Sequence, residues 1–255
     1  AWGCRAAFYA TNVTGTGVIV QACRAAGVPR LVFTSSPMAV FDGTHQAGID
    51  ERYPYPAQWP SPYAETKAKA EQLVMAANGD GLTTVSLRPR LVWGPGDNSL
   101  IPRIVQKARA EQLQLLGRTS PEVDWTCIDN AVDAHLLAAD CATPDSPAAG
   151  QTYFISNGHP LRIDDLINRI LQAYGLGPVT RRVPAGVAYT LGAAMEAAWT
   201  VLRRGDEPPL TRFVVLNLTR TNWFDISAAR RDLGYQPRVT LEQGLEQLRA
   251  TGAPA

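Results

Sequence analysis

The apolar positions of this chain alternate between two periods. Residues 6–27 repeat at helical spacing, with Phe8, Val13, Val18, Ile19, Val20 and Cys23 on the apolar face and Gly27 as the stop. Residues 30–36 (Arg-Leu-Val-Phe-Thr-Ser-Ser) form a short β-rich run ending in hydroxyls. It reads as a buried parallel strand whose carboxyl end reaches an active-site edge. Residues 41–62, rich in Gly, Pro, Asp and Tyr, read as a long loop. A helix then starts beside Pro62 and runs through Ala70, Leu73 and Val74 to about residue 78.

The alternation continues downstream. Residues 82–88 predict a second buried strand, and 89–97 a rigid turn. A helix follows at 101–110, short strands at 113–116 and 125–128, and a helix at 130–139. A strand at 151–156 precedes a helix at 162–174, with Asp164 and Asp165 near its positive end. Strands alternating with helices predict an α/β fold built on a doubly wound parallel sheet. Residues 1–160 are expected to hold the sheet, as a partial domain. Residues 161–255 are mainly a small, mostly helical substrate-binding cap, with some segments returning to the core.

Within the cap, residues 183–202 approach membrane-spanning length in their apolar run, but carry Glu196 inside and Pro184 near the start. The favoured reading is a buried cap helix, or one lining an apolar pocket; a helix on a membrane surface comes second, and a spanning helix third. Residues 203–209 break the run. The tail from Phe224 to Leu248 predicts a helix, a turn and a final helix.

Charge changes this picture little. The formal net charge is +1, so a basic nucleic-acid footprint is absent. Cys4, Cys23, Cys127 and Cys141 have no C-x-x-C spacing, and His45, His135 and His159 are scattered, so no zinc site or disulfide framework is expected. Free thiols in a reducing cytoplasm are the default. The first residues carry no basic segment followed by an apolar core, so no signal peptide is read there.

The chemistry concentrates in Ser61-Pro62-Tyr63-Ala64-Glu65-Thr66-Lys67. Tyr63 and Lys67 are four residues apart and share one helix face. A phenol beside an ammonium makes a proton donor suited to carbonyl reduction, because the ammonium stabilises the phenolate. The pattern alone is short and common, but Lys occurs only at 67, 69 and 107. Asn12-Val13-Thr14-Gly15-Thr16-Gly17 is not a nucleotide loop: no strand precedes it, and the third glycine of G-x-G-x-x-G is missing.

Taken in order, Asn12 to Thr16, Val32 to Ser36, Tyr63 to Lys67, Arg88-Pro89 with Val92 to Asp97, Ile128-Asp129, and Leu233 to Pro237 resemble the extended short-chain dehydrogenase/reductase family. The resemblance covers most of the chain and implies a Rossmann-like sheet. It assigns catalytic positions to Tyr63 (acid/base), Lys67 (ribose and phenolate partner), Ser36 (donor to the substrate oxygen) and Asn12 (holding a relay water). A helix-kinking role suits Asn12 equally well. Cofactor contacts fall to Tyr63, Lys67, Pro89, Leu91 and Ser35, with Ser35 open to a purely structural role. Asp129 reads as a helix cap.

The later half is similar to the 3-beta-hydroxysteroid dehydrogenase/isomerase branch. Residues 87–97, 153–158 and 205–213 most resemble bacterial 2-alkyl-3-oxoalkanoate reductases of olefin biosynthesis. That implies a hydrophobic keto substrate, NADP(H) favoured with NAD(H) possible, and work beside other olefin-biosynthesis enzymes. It also implies a homodimer through the helices of residues 6–27 and Tyr63. A 3-beta-hydroxysteroid dehydrogenase, a nucleotide-sugar epimerase or dehydratase, and a non-enzymatic dinucleotide sensor remain alternatives. The family's glycine-rich phosphate loop, and the residue that chooses NAD or NADP, do not precede these motifs. The expectation is therefore an N-terminally incomplete sheet, preceded in the native protein by a strand, a G-x-x-G-x-x-G turn and a helix.

Overall fold

A helix with a π-helical insert opens the chain, which a computed structural model describes over residues 2–251. It starts as α1 (Arg5–Phe8), passes through a π segment (Tyr9–Thr14), and continues as α2 (Gly15–Ala25). Asn12 sits in the π segment, a local widening that frequently marks functional positions. Next come β1 (Arg30–Thr34), a 3-10 turn (Pro37–Val40) and β2 (Gln46–Ile49). Helix α3 (Pro62–Ala76) is followed by β3 (Thr83–Pro89), β4 (Val92–Trp93) and α4 (Leu100–Arg109). Short strands β5 (Leu115–Leu116), β6 (Glu122–Val123) and β7 (Thr126–Cys127) lead into α5 (Ile128–Cys141).

The remainder comprises β8 (Gln151–Ile155), β9 (Leu161–Arg162), α6 (Ile163–Ala173), β10 (Arg182–Val183) and α7 (Ala185–Val201). Then come α8 (Arg212–Thr219), β11 (Asn222–Phe224), α9 (Ser227–Leu233) and α10 (Leu241–Thr251).

The scaffold is a parallel sheet ordered β1-β3-β8, with Thr34 level with Leu87 and Pro89 level with Ile155. It is Rossmann-like, as the sequence predicts. β3 lies in the middle and is buried at every position before Pro89, its apolar Val85 and Leu87 alternating with Thr84, Ser86 and Arg88. Its core joins Val85, Leu87, Tyr153, Phe154 and Ile155 to Phe224, whose ring stacks on Phe154 at 4.2 Å. The Tyr235 hydroxyl donates to Ser156 O at 3.0 Å, so the chain after α9 closes over the end of β8.

Four readings need correction. β1, expected to be buried, has no buried position, because it lies at the edge of the β1-β3-β8 sheet. Residues 41–62 contain a strand, β2, rather than loop alone. Its partner β11 lies far along the chain, in a four-stranded sheet ordered β2-β11-β6-β9, so no local pattern announced the pairing. Helix α8 and strand β11 precede the helix expected after Phe224 and were not foreseen. The apolar run at 183–202 is not a buried helix. Only Ala188 and Gly192 of α7 are buried, while Val187, Tyr189, Leu191 and Val201 stand exposed. Its packed face is made of small residues: a Cβ at Gly192 would meet the backbone of Thr211 and Arg212 at 3.0 Å. Among the described residues no helix is long and apolar enough to cross a membrane.

Candidate active site

Helix α3 delivers Tyr63 and Lys67. Ser61 is the N-cap, its Oγ accepting from Ala64 N at 3.2 Å, and Pro62 occupies the first turn, where a missing N–H is harmless. The helix buries mostly small residues, Ala64, Ala68 and Ala70, which lets it lie close to its neighbours. One such neighbour is α2, where a Cβ at Gly17 would stand 3.6 Å from Leu73 Cδ1. Asn12 reaches α3 from the π segment. Its Nδ2 donates to Thr66 Oγ1 at 2.9 Å, and Thr66 in turn bonds Pro62 O and Tyr63 O.

Lys67 is placed at the strand edge rather than on the phenol. Its Nζ donates to Thr34 O at 2.5 Å and lies 4.6 Å from the centre of the Phe33 ring. Burial lowers its affinity for a proton, partly offset by the charge of Glu71. The Tyr63 ring is held edge-on by Phe8 at 6.3 Å and Phe213 at 6.5 Å. Met38, Phe41, Trp59 and Leu216 complete that apolar group.

Ser36 caps the 3-10 turn, its Oγ accepting from Met38 N at 3.2 Å. This bond uses the hydroxyl only as an acceptor, so its proton remains available to donate. The turn it starts packs against α3, and Met38 shares the cluster that holds Tyr63. Ser35 is buried, and its Oγ has no hydrogen-bond partner among the described residues. Pro89 ends β3, and Leu91 follows with φ of 41°, a left-handed conformation unusual for a branched side chain. Gly94 in the same turn has no room for a side chain, since a Cβ would stand 2.5 Å from Ile128 Cγ2. These turns bring Asn12, Ser36, Tyr63, Lys67, Pro89 and Leu91 to one end of the parallel sheet, the carboxyl end at which α/β sheets bind ligands.

Two groups in this region were given no role by the sequence. Arg90 is 4 % exposed, and its Nη2 donates to Asn217 Oδ1 on α8 at 3.0 Å. Asp124 is also buried, and its Oδ2 accepts from Phe224 N at 2.8 Å. Burial pushes the Asp124 carboxyl up to about 6. A carboxyl raised above its ordinary 3.8 favours the fold when protonated. That contribution is complete below about pH 4 and is lost as pH rises through about 6. Asp124→Asn keeps an acceptor for Phe224 N but cannot titrate. Thermal unfolding should therefore show the variant gaining on the parent by up to about 2–3 kcal/mol between about pH 4 and 7.5. A constant difference across that range would refute the shift.

No pyrophosphate cradle of glycines lies between a strand and a helix among the described residues. The left-handed turn at Leu91, the lysine at the strand edge and the tyrosine of α3 are what this end of the sheet presents. Fold and site together define an NAD(P)-dependent oxidoreductase of the extended short-chain dehydrogenase/reductase type. The model of the 3-beta hydroxysteroid dehydrogenase/isomerase family matches residues 4–184, and the chain belongs to that family.

It is 46% identical to a 2-alkyl-3-oxoalkanoate reductase of Stenotrophomonas maltophilia, over 99% of this chain and 77% of that protein. It is 41% identical to the protein of the same name from Shewanella oneidensis, over 98% of this chain and 67% of that one. In structure it is similar to a UDP-glucuronic acid 4-epimerase from Bacillus cereus in complex with NAD. The TM-score is 0.71 and the identity 20%, over 98% of this chain and 70% of that one.

Proposed function

We propose that this protein reduces the ketone of a 2-alkyl-3-oxoalkanoate to the corresponding 3-hydroxy acid, favouring NADPH and accepting NADH. The observation that carries this reading is the 46% and 41% identity, over almost the whole chain, to two reductases named for that substrate. A nicotinamide cofactor, when bound, supplies the hydride for such a reduction.

The chain's own residues do the rest. Tyr63 Oη gives its proton to the carbonyl oxygen as negative charge develops there, and the free O–H of Ser36 donates to the same oxygen. Lys67, held at the sheet edge by Thr34 O, binds the nicotinamide ribose and favours the phenolate left behind. Asn12 holds a water that returns a proton toward Lys67, and its bond to Thr66 fixes it against α3. Pro89 and Leu91 offer backbone groups to the nicotinamide, while Ser35 supports that edge from beneath. Phe213, Met38 and Leu216 surround Tyr63 with the apolar surface that an alkyl chain requires.

The test follows oxidation of NADPH and NADH with a 2-alkyl-3-oxo acid, a 3-ketosteroid and a UDP-sugar. The acid should be turned over, faster with NADPH. Absence of turnover of the acid with either cofactor overturns the reading, as does preferential turnover of the steroid.

A further inference from the structure

Arg90 is a buried cation whose donors are only partly filled. It lies one residue past the end of β3 and is 4 % exposed, yet forms no ion pair among the described residues. Its Nη2 is occupied by the neutral amide of Asn217, and its buried Nε has no hydrogen-bond partner. Burial pulls its proton affinity down to about 10, and the only charges that oppose this are those of Asp124 and Tyr63. Asp124 accepts from Phe224 N through Oδ2, its Oδ1 is unpartnered, and it makes no ion pair with Arg90. Burying a guanidinium costs several kcal/mol unless its donors are filled, so an unfilled one is an expensive arrangement for structure alone.

Its surroundings say where a filling group would come from. Helix α8 seats on both Arg90 and Tyr63: Asn217 bonds Arg90, while Phe213, one turn earlier, packs edge-on against Tyr63. The Asn217 side chain also touches Met38, in the turn capped by Ser36. Helix α8 therefore links Arg90 to Tyr63 and to the turn that Ser36 caps.

We propose that Arg90, positioned by Asn217, is the carboxylate-binding residue of this site, so that the protein selects keto acids over neutral ketones. The proposal rests on the reductase reading and deepens it. In a 3-oxo acid the carboxylate carbon is two bonds from the keto carbon. With the keto oxygen on Tyr63 and Ser36, the carboxylate falls within a few ångströms, the range over which a guanidinium fork can meet it. Filling Nε would satisfy the orphaned donor and give the buried charge its partner. A sterol or a neutral ester offers no such group.

The test uses the full chain and two probes, a 2-alkyl-3-hydroxy acid and its methyl ester, titrated calorimetrically. The parent should bind the acid at least about 30-fold more tightly than the ester, the lower end for removing one partner of a buried charge pair. Arg90→Met should lose that preference while binding the ester within about threefold of the parent, and Arg90→Lys should retain part of it. A merely structural arginine would weaken acid and ester alike. Equal binding of acid and ester by the parent overturns the proposal whatever the variants do, and so does a preference that survives in Arg90→Met.

NADPH oxidation with the 3-oxo acid and its ester separates the two readings. Equal efficiency on both leaves the reductase standing and removes Arg90 from its role. Turnover of neither removes the reductase reading, and the binding preference still decides for or against Arg90.

Discussion

Tyr63→Phe should lower kcat for keto-acid reduction by about 10²- to 10⁴-fold, the range expected when a general acid is removed. The substitution deletes one oxygen and keeps the ring. Edge-on contacts with Phe8 and Phe213 hold that ring, so the site should keep its shape. Lys67 is anchored on Thr34 O rather than on the phenol, so cofactor affinity should change little. The expected signature is a collapse of kcat with cofactor affinity, read by fluorescence titration, within about threefold of the parent. A variant retaining more than about a tenth of parental kcat would remove Tyr63 as proton donor. The water held by Asn12 would then be the next donor to examine.

Glu71→Leu should destabilise the fold by about 3–5 kcal/mol. Glu71 lies on the face of α3 that meets β3, wholly buried beside the equally buried Arg88. Arg88 Nε and Nη2 donate to its two oxygens at 2.9 and 2.6 Å, the Tyr55 hydroxyl at 2.6 Å and Ser86 Oγ at 3.2 Å. Burial alone would raise the Glu71 carboxyl, but the hydrogen bonds and charge of Arg88 outweigh it and hold the group below its ordinary range. Removing the carboxylate strands a guanidinium between the Phe154 and Tyr55 rings with no counter-charge. Glu71→Leu combined with Arg88→Met removes both charges. The double variant should therefore recover most of the loss, because a buried ion pair and a packed apolar pair are close in free energy. Chemical denaturation of the three variants checks this. A double variant as unstable as the single one would mean that the pair contributes through packing shape rather than charge compensation.

Both predictions concern α3, where the sequence was most informative. Tyr63 and Lys67 were legible because helical spacing follows from local geometry, and Ser61-Pro62 marks the helix start chemically. β3 was legible as a buried run. Arg88 inside it was a readable sign of a buried partner, since a charge in a central strand must be compensated. Its partner Glu71 was not identifiable, because the pairing depends on the packing of α3 on the sheet. Arg90 stood in a quoted motif without a role. Two arginines flanking one proline beside an apolar strand were the available signal. Nothing local showed that one would meet a carboxylate and the other an amide.

The sequence by itself determined β1, β3 and β8 with the α-helices between them, the helix that carries Tyr63 and Lys67 among these, and the turn at Pro89. Each of these depends on periodicity, capping or backbone restriction within a few residues. Only the tertiary structure decided the pairing of β2 with β11, the exposure of α7, and the closure of α8 over Tyr63 and Arg90. Those outcomes depend on contacts between segments as much as 179 residues apart, as between Asn217 and Met38. Such contacts are selected by burial and hydrogen-bond satisfaction over the whole molecule, and no short stretch of chain carries that information.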